Sequence, residues 1–426
     1  MMSGKRINKN RGQLLSCLLF CLTSVLLSIS VLVFDLQAEE KEKISLIFSG
    51  YIKTDVIYDT RQTVNLREGH FLLFPQDRLL DPAGHDLNAK DTFHILPIQT
   101  RLALRISGPQ ALGAKTSGYI EAEFFGMSEA DINGFRLRHA YLKLNWKKAE
   151  LLVGQFWHPM FISDSYPEVV SFNTGAPFEP FSRAPQICFT WKPEPALSFS
   201  LTALSQRDFA STGPAGVSTS YFRNAACPEL DFKVAYSQKN FLAGAGINVL
   251  KILPRLATET GYQANESLTS LAGYAFGRLK TKPVTIKAEG VYGGNLHHLT
   301  MLGGYAVSEI IDVVTAQRDY SPINTASGWI DIQTNGEKWQ VGLFSGYTKN
   351  LGAKGEIAGP VYSRGETIDH LVRIAPRFVF NAGKVRLAQE IELTSAAYGS
   401  PDSRGRVNGQ RTVTNLRFLT AVYYFF

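Results

Sequence analysis

The sequence predicts an all-β protein, a transmembrane antiparallel β-barrel of about 16 strands. Three observations carry this reading. Apolar and polar residues alternate with period two in segment after segment. The connections between those segments alternate in length, short then long. The chain ends on "NLRFLTAVYYFF", where Leu416, Phe418, Thr420, Val422, Tyr424 and Phe426 share one face of a strand, apolar and turning aromatic as a membrane strand does where it leaves the lipid.

Bulk composition conceals this. Of the 426 residues 45% are hydrophobic and 19% charged, values that also suit a soluble protein. No run after residue 40 approaches the roughly 20 apolar residues of a spanning helix, so a membrane role must rest on strands. Gly 36 and an aromatic fraction of 12% fit many short strands with tight turns.

Residues 1–38 read as a signal peptide. Lys5, Arg6, Lys9 and Arg11 precede the apolar run Leu14–Phe34, and cleavage is expected near Ala38, although Leu36 is bulkier than the small residue preferred there. Ser16-Cys17 lies before the apolar run, so lipidation is not expected. Residues 39–426 then form a single barrel domain with 40 Lys+Arg against 36 Asp+Glu. Any preference for anions must come from where the charges sit. Cys188 and Cys227 remain after cleavage, too few to staple a domain of this size.

In order, "LIFSGYIKTDVIY" sets Leu46, Phe48, Ile52, Val56 and Tyr58 against Ser49, Lys53 and Asp55. "HILPIQTRLALRIS" sets Leu96, Ile98, Leu102, Leu104 and Ile106 against Gln99, Arg101 and Arg105. "GYIEAEFF" sets Ile120, Ala122 and Phe124 against Tyr119, Glu121 and Glu123. "LVRIAPRFVF" opposes Val372, Ile374, Phe378 and Phe380 to Arg373 and Arg377. Strands start near residues 46, 94, 117, 134, 149, 186, 197, 228, 241, 268, 283, 328, 337, 371, 384 and 411. Short connections such as "QKN", "KTKP" and "NAGK" contain turn formers and lysines. Long ones fall near 60–93, 158–185, 206–226, 252–267, 295–327, 351–370 and 396–410. Short periplasmic turns on one rim and long extracellular loops on the other are the barrel pattern, and this strand number leaves room for a water-filled lumen. Two segments fit poorly. In "FRLRHAYLKLNW" Phe135, Leu137 and Tyr141 share parity with His139 and Lys143, and Gln389 falls between the outward Leu387 and Ile391.

The connection after the fifth strand, "HPMFISDSYPEVVSFNTGAPFEPFSRAPQI", is rich in Pro and aromatic residues and carries Asp164, Glu168, Glu179 and Arg183. Folded into the barrel it would bury its rings and narrow the channel; the alternative is a lid across the rim. With "RLRHAYLKL" and "ELLVGQFWHPMF" before it and "FSRAPQI" closing it, this region resembles the DcaP-like group of trimeric outer-membrane porins. The resemblance implies 16 strands, an inward third loop, a homotrimer, and passage of small anionic solutes such as dicarboxylates. It also implies residence in the lipid of a Gram-negative outer membrane, and recognition of the strand ending at Phe426 by the barrel-assembly machinery. Family members often carry a coiled coil before the barrel; here only "EEKEK" separates the signal from the first strand. The resemblance gives no reason to expect a cofactor or a nucleic-acid partner.

By parity, Arg101, Arg105, Arg136, Arg138, Arg373, Arg377, Arg386 and Arg417 face inward on strands that adjoin once the barrel closes. Guanidinium groups hold their charge and match carboxylates as planar forks, so this wall with Arg183 is read as a basic constriction opposing Asp164, Glu168 and Glu179. A second reading has the same arginines bracing the wall against Glu121, Glu123, Glu390 and Glu392. His297-His298, adjacent in a long loop, reads as solvated rather than metal-bound. "LAGAGIN" lies in a strand without the helix a nucleotide fingerprint needs. Cys188 and Cys227, separated by an intervening strand, are expected as free thiols. Two rival functions remain: an outer-membrane hydrolase with a rim active site, for which no GxSxG motif is present, and a soluble β-rich binding protein anchored by residues 14–34.

Overall fold

A computed structural model describes residues 44–426; the expected signal segment 1–38 lies outside the described residues. The chain runs β1 (Ser45–Asp59), β2 (Thr63–Leu66), β3 (Phe71–Pro75), β4 (Thr92–Leu96), β5 (Arg101–Ser107), β6 (Lys115–Glu123), β7 (Arg136–Asn145), β8 (Ala149–Trp157), β9 (Arg183–Glu194), β10 (Leu197–Leu204) and β11 (Glu229–Gln238). It continues β12 (Phe241–Ile252), β13 (Leu268–Lys280), β14 (Val284–Gly294), β15 (Gly303–Asp312), β16 (Gln317–Thr334), β17 (Trp339–Gly352), β18 (Val361–Arg364), β19 (Ile368–Ala382), β20 (Val385–Pro401) and β21 (Val407–Phe425). β4 and β5 are two halves of one wall strand, both paired with β1. β2–β3 is a separate hairpin, and β15 and β18 belong to loop extensions. What remains is a closed antiparallel cylinder of 16 strands. Closure is made by β1 on β21, from Tyr51↔Phe425 to Asp59↔Arg417. No backbone edge is left to meet hydrocarbon.

The period-two pattern decides which face is which. Leu201, Ile247, Leu271, Leu343, Ile374, Phe418 and Val422 lie exposed on the exterior. Trp191, Tyr236, Phe241, Trp339, Tyr424 and Phe426 are exposed toward the short-turn rim, and Tyr58, Phe93, Tyr292 and Tyr347 toward the other, forming the two aromatic girdles of a membrane barrel. The terminal stretch divides as its parity requires, with Asn415, Arg417, Leu419 and Ala421 buried inside.

The poorly fitting segments have local causes. Between β6 and β7 the register shifts, with Ala122 opposite Leu137 and Glu121 opposite His139. Arg138 is therefore bulged, and Arg138 and His139 both turn inward, which resets parity for Tyr141 and Lys143. A second reset lies in "LPIQTR": β4 ends at Leu96 and β5 begins at Arg101, so Leu96 and Ile98 are buried in the lumen rather than facing lipid as alternation predicts. Gln389 does face outward, opposite Thr420. The stretch 295–327, expected as loop, holds β15 and the first half of β16.

Three connections fold into the cylinder. The β2–β3 hairpin is one, with Phe71–Phe74 buried. The third loop, 158–182, is another. The third is 295–302, also buried. Their side chains meet inward wall residues in one apolar cluster that includes Phe71, Phe125, Phe161, Phe172, Phe178, Phe181, Ala375 and Leu419. The lumen thus has a packed middle, and His297 and His298, expected in solvent, are buried in it.

At the seam, Arg417 donates to Asp59 through Nε (2.9 Å) and Nη2 (2.7 Å), and Nη2 also reaches the Gly69 carbonyl of the hairpin segment at 2.7 Å. Both members of the pair are fully buried. Arg417→Ala, which strands Asp59, should cost about 3–5 kcal/mol in urea unfolding. Arg411→Ala, which removes a half-exposed pair with Asp77, should cost under about 1 kcal/mol.

Candidate pore constriction

The third loop crosses the lumen because charged wall residues hold its backbone. Val170 and Ser171 donate N–H bonds to the two Glu390 oxygens at 2.7 and 3.1 Å, and Lys53 Nζ donates to the Val170 carbonyl at 2.9 Å. Arg373 Nη1 donates to the Ala176 carbonyl at 2.7 Å, while its Nη2 takes Leu73 O of the β2–β3 hairpin at 2.8 Å. Asn173 Nδ2 bonds Glu392 at 3.0 Å, Ser327 Oγ bonds the Phe178 carbonyl at 2.8 Å, and Lys287 Nζ takes the Tyr166 carbonyl at 3.0 Å. Two wall glycines make the space. A Cβ on Gly346 would stand 2.5 Å from the Phe178 ring, and one on Gly342 2.3 Å from Arg377 Cζ.

Most of the expected basic wall is therefore internal structure. Arg101 pairs with Glu123 at 3.0 Å and lies near Glu121. Arg136 bridges Glu123 (2.8 Å) and Asp208 (3.0 Å), and Arg138 bridges Glu121 (2.6 Å) and Glu123 (2.7 Å). Arg373 faces Glu392 at 3.2 Å and Arg377 faces Asp331 at 2.6 Å. Each of these arginines except Arg101 is buried. Arg183, read from sequence as part of the loop, is the first residue of β9 and is buried against Asp208 at 2.7 Å. Buried guanidinium–carboxylate pairs of this kind fix geometry, and removing one partner leaves an uncompensated charge.

The acidic residues of the loop do not form one face. Asp164 is exposed and offers only its carbonyl, to Arg278 at 2.8 Å. Glu168 pairs with Lys287 at 2.5 Å. Glu179 is fully buried, and neither carboxylate oxygen has a hydrogen-bond partner, a setting that disfavours its charge. Sequence alternation missed Asp208, which binds Arg136 and Arg183 from the next long loop; a lone acid in a loop carries no periodic signal.

Solvent reaches the constriction on its short-turn side. A cavity of about 400 Å³ lies between the loop and the wall, lined among others by Tyr51, Arg101, Arg138, Tyr166, Glu168, Arg386 and Tyr423. Arg386 makes no ion pair among the described residues; it bonds Asn381 at 2.8 Å and lies over the Tyr423 and Phe425 rings. Arg105 is inward, exposed and also outside any ion pair among the described residues. Cys188 and Cys227 are free thiols. Replacing Glu390 with Gln removes the charge that receives two loop N–H groups. Limited proteolysis should then cleave 158–182 faster than in the parent protein while the barrel stays intact.

No protein-family model matches the chain, and no curated protein matches it in sequence. Solved structures do. The outer membrane channel DcaP of Acinetobacter baumannii superposes with a TM-score of 0.66 at 18% identity, covering 92% of this chain and 100% of the channel. An anion-selective porin from Comamonas acidovorans gives 0.53 at 12% identity, covering 90% of this chain and all of its own. OmpT of Vibrio cholerae, an outer-membrane protein, gives 0.54 at 10%, covering 91% and 100%. The cylinder, its apolar exterior and the loop across its lumen together give this chain the barrel fold of the outer-membrane porins.

Proposed function

We propose that the protein is a porin of a Gram-negative outer membrane, a diffusion channel for small hydrophilic solutes that favours anions. The carrying observation is the cavity under the third loop, where Arg101 and Arg386 share one space with Tyr51 and Tyr423, beside Arg138, Glu121 and Glu168. Arg138 is held by Glu121 and Glu123, whereas Arg386 and the partly accessible Arg101 suit a solute with two carboxylates, and the aromatic rings give the solute's carbon skeleton an apolar surface. The same side of the barrel carries further cationic charge. Lys115, Lys147, Lys148, Lys239, Lys280, Lys282, Lys338 and Lys384 are exposed at the short-turn rim, and none is in an ion pair among the described residues. Positive charge around a mouth raises the local anion concentration.

Assembly as a homotrimer agrees with the DcaP-like resemblance, and the C-terminal strand ending at Phe426 offers the barrel-assembly machinery an aromatic end. The apolar exterior speaks against the anchored soluble alternative. Reversal potentials in planar bilayers test the reading. Arg101→Ala with Arg386→Ala should bring the anion-to-cation permeability ratio toward unity. Arg136→Ala, which alters a buried pair, should leave it near the parent value. Conductance absent from the purified protein, or selectivity unchanged in the double variant, would refute the proposal; liposome swelling with anionic, neutral and cationic solutes would rank the substrates.

A further inference from the structure

His158, Glu229 and His298 come from three distant parts of the chain and meet inside the barrel. His158 follows β8 and opens the third loop, Glu229 begins β11, and His298 lies on the 3-10 turn His297–Leu299 of the inward segment 295–302. All three are buried. His158 Nε2 is 2.9 Å from Glu229 Oε1, and His298 Nε2 is 3.2 Å from the same oxygen. One donor atom from each residue lies within 4.8 Å of the other two.

We propose that these residues are a binding site for a divalent transition-metal ion of the zinc type. Zinc held by imidazole nitrogens and a carboxylate at about 2.0–2.1 Å, in tetrahedral geometry, requires its ligand atoms about 3.3 Å apart. Two of the three spacings already approach that edge, and the third, between the two imidazole nitrogens, lies within 4.8 Å. Two imidazoles and one carboxylate form a borderline donor set that suits zinc, copper, nickel or cobalt more than calcium or magnesium. Three protein ligands leave a fourth position for water.

A second feature of the cluster points to a cation. Glu229 Oε2 and His298 Nδ1 are buried without a hydrogen-bond partner among the described residues. Among those residues Glu229 pairs with no lysine or arginine, only with the two rings. A buried carboxylate with one oxygen unpartnered and no lysine or arginine beside it is costly, and a dication at the shared centre would neutralise it. The opposing contact is the Met160 N–H, which faces His158 Nδ1 at 3.3 Å. Metal at Nε2 leaves the ring N–H at Nδ1 and opens this contact, the longest in the cluster. The bound ion would tie the root of the third loop to the wall and to the segment 295–302, whose Leu299 carbonyl already accepts the Phe181 N–H at 2.8 Å.

The test uses the full-length protein in detergent, stripped with a chelator and titrated with Co²⁺. The expected result is the visible absorption of tetrahedral cobalt, saturating at one ion per chain and displaced by Zn²⁺. His298→Ala and Glu229→Gln should each weaken binding at least about tenfold, while His85→Ala, which alters an exposed histidine beside Asp81, should not. Heat-modifiable gel migration reports that each barrel is closed. If His298→Ala does not fold, Zn²⁺ should still raise the unfolding temperature of the parent protein in a concentration-dependent way. A parent protein that binds no more cobalt than His298→Ala, or whose unfolding temperature ignores Zn²⁺, would show that the three residues are a hydrogen-bonded tie only. The result is independent of whether the channel passes anions.

Discussion

The structure depends on one constraint: in hydrocarbon no backbone N–H or C=O can be left without a partner. A sheet meets that requirement only by pairing its first strand with its last, and β1 on β21 is that seam. Everything outside the seam follows from it. Once the cylinder is closed, each strand must give one face to lipid and the other to the lumen. The chain therefore needs only alternate apolar residues, which is why its overall composition looks like that of a soluble protein.

Closure also explains the charge inside. A cylinder of 16 strands is wider than side chains alone can fill, so the interior is occupied by loops, and loop backbone buried there must find hydrogen-bond partners. Wall residues supply them. Glu390 receives the N–H groups of Val170 and Ser171, and Arg373 reaches the carbonyls of Ala176 and Leu73. The charged wall and the polar backbone of the inward segments therefore satisfy one another. Aromatic rings fill the volume between them, from Phe71 on the hairpin to Phe178 and Phe181 on the third loop.

The proposed selectivity would rest on what this bracing leaves over. Arg136, Arg138, Arg373, Arg377 and Arg417 are committed to carboxylates or loop carbonyls, whereas Arg105 and Arg386 lie outside ion pairs among the described residues and Arg101 retains partial access to the cavity. The bracing reading describes the first set, and the proposed solute contact concerns the second. Depth in the barrel separates them: arginines under the inward segments brace, and those toward the short-turn rim meet water.

Alternation and turn chemistry by themselves determined the approximate strand number, the two rims, the lipid-facing residues outside two parity breaks and the inward direction of the arginines. These are local consequences of a two-residue repeat, and a sequence displays them directly. Only the tertiary structure decided the rest. The bulge at Arg138 and the break at 97–100 each shift parity by one residue, a change that leaves no mark on composition. The β2–β3 hairpin and the segment 295–302 enter the lumen because the wall offers partners, and those partners lie on distant strands. Glu229 and His298 are 69 residues apart, and their meeting follows from the curvature of a closed sheet, which no periodicity along the chain encodes.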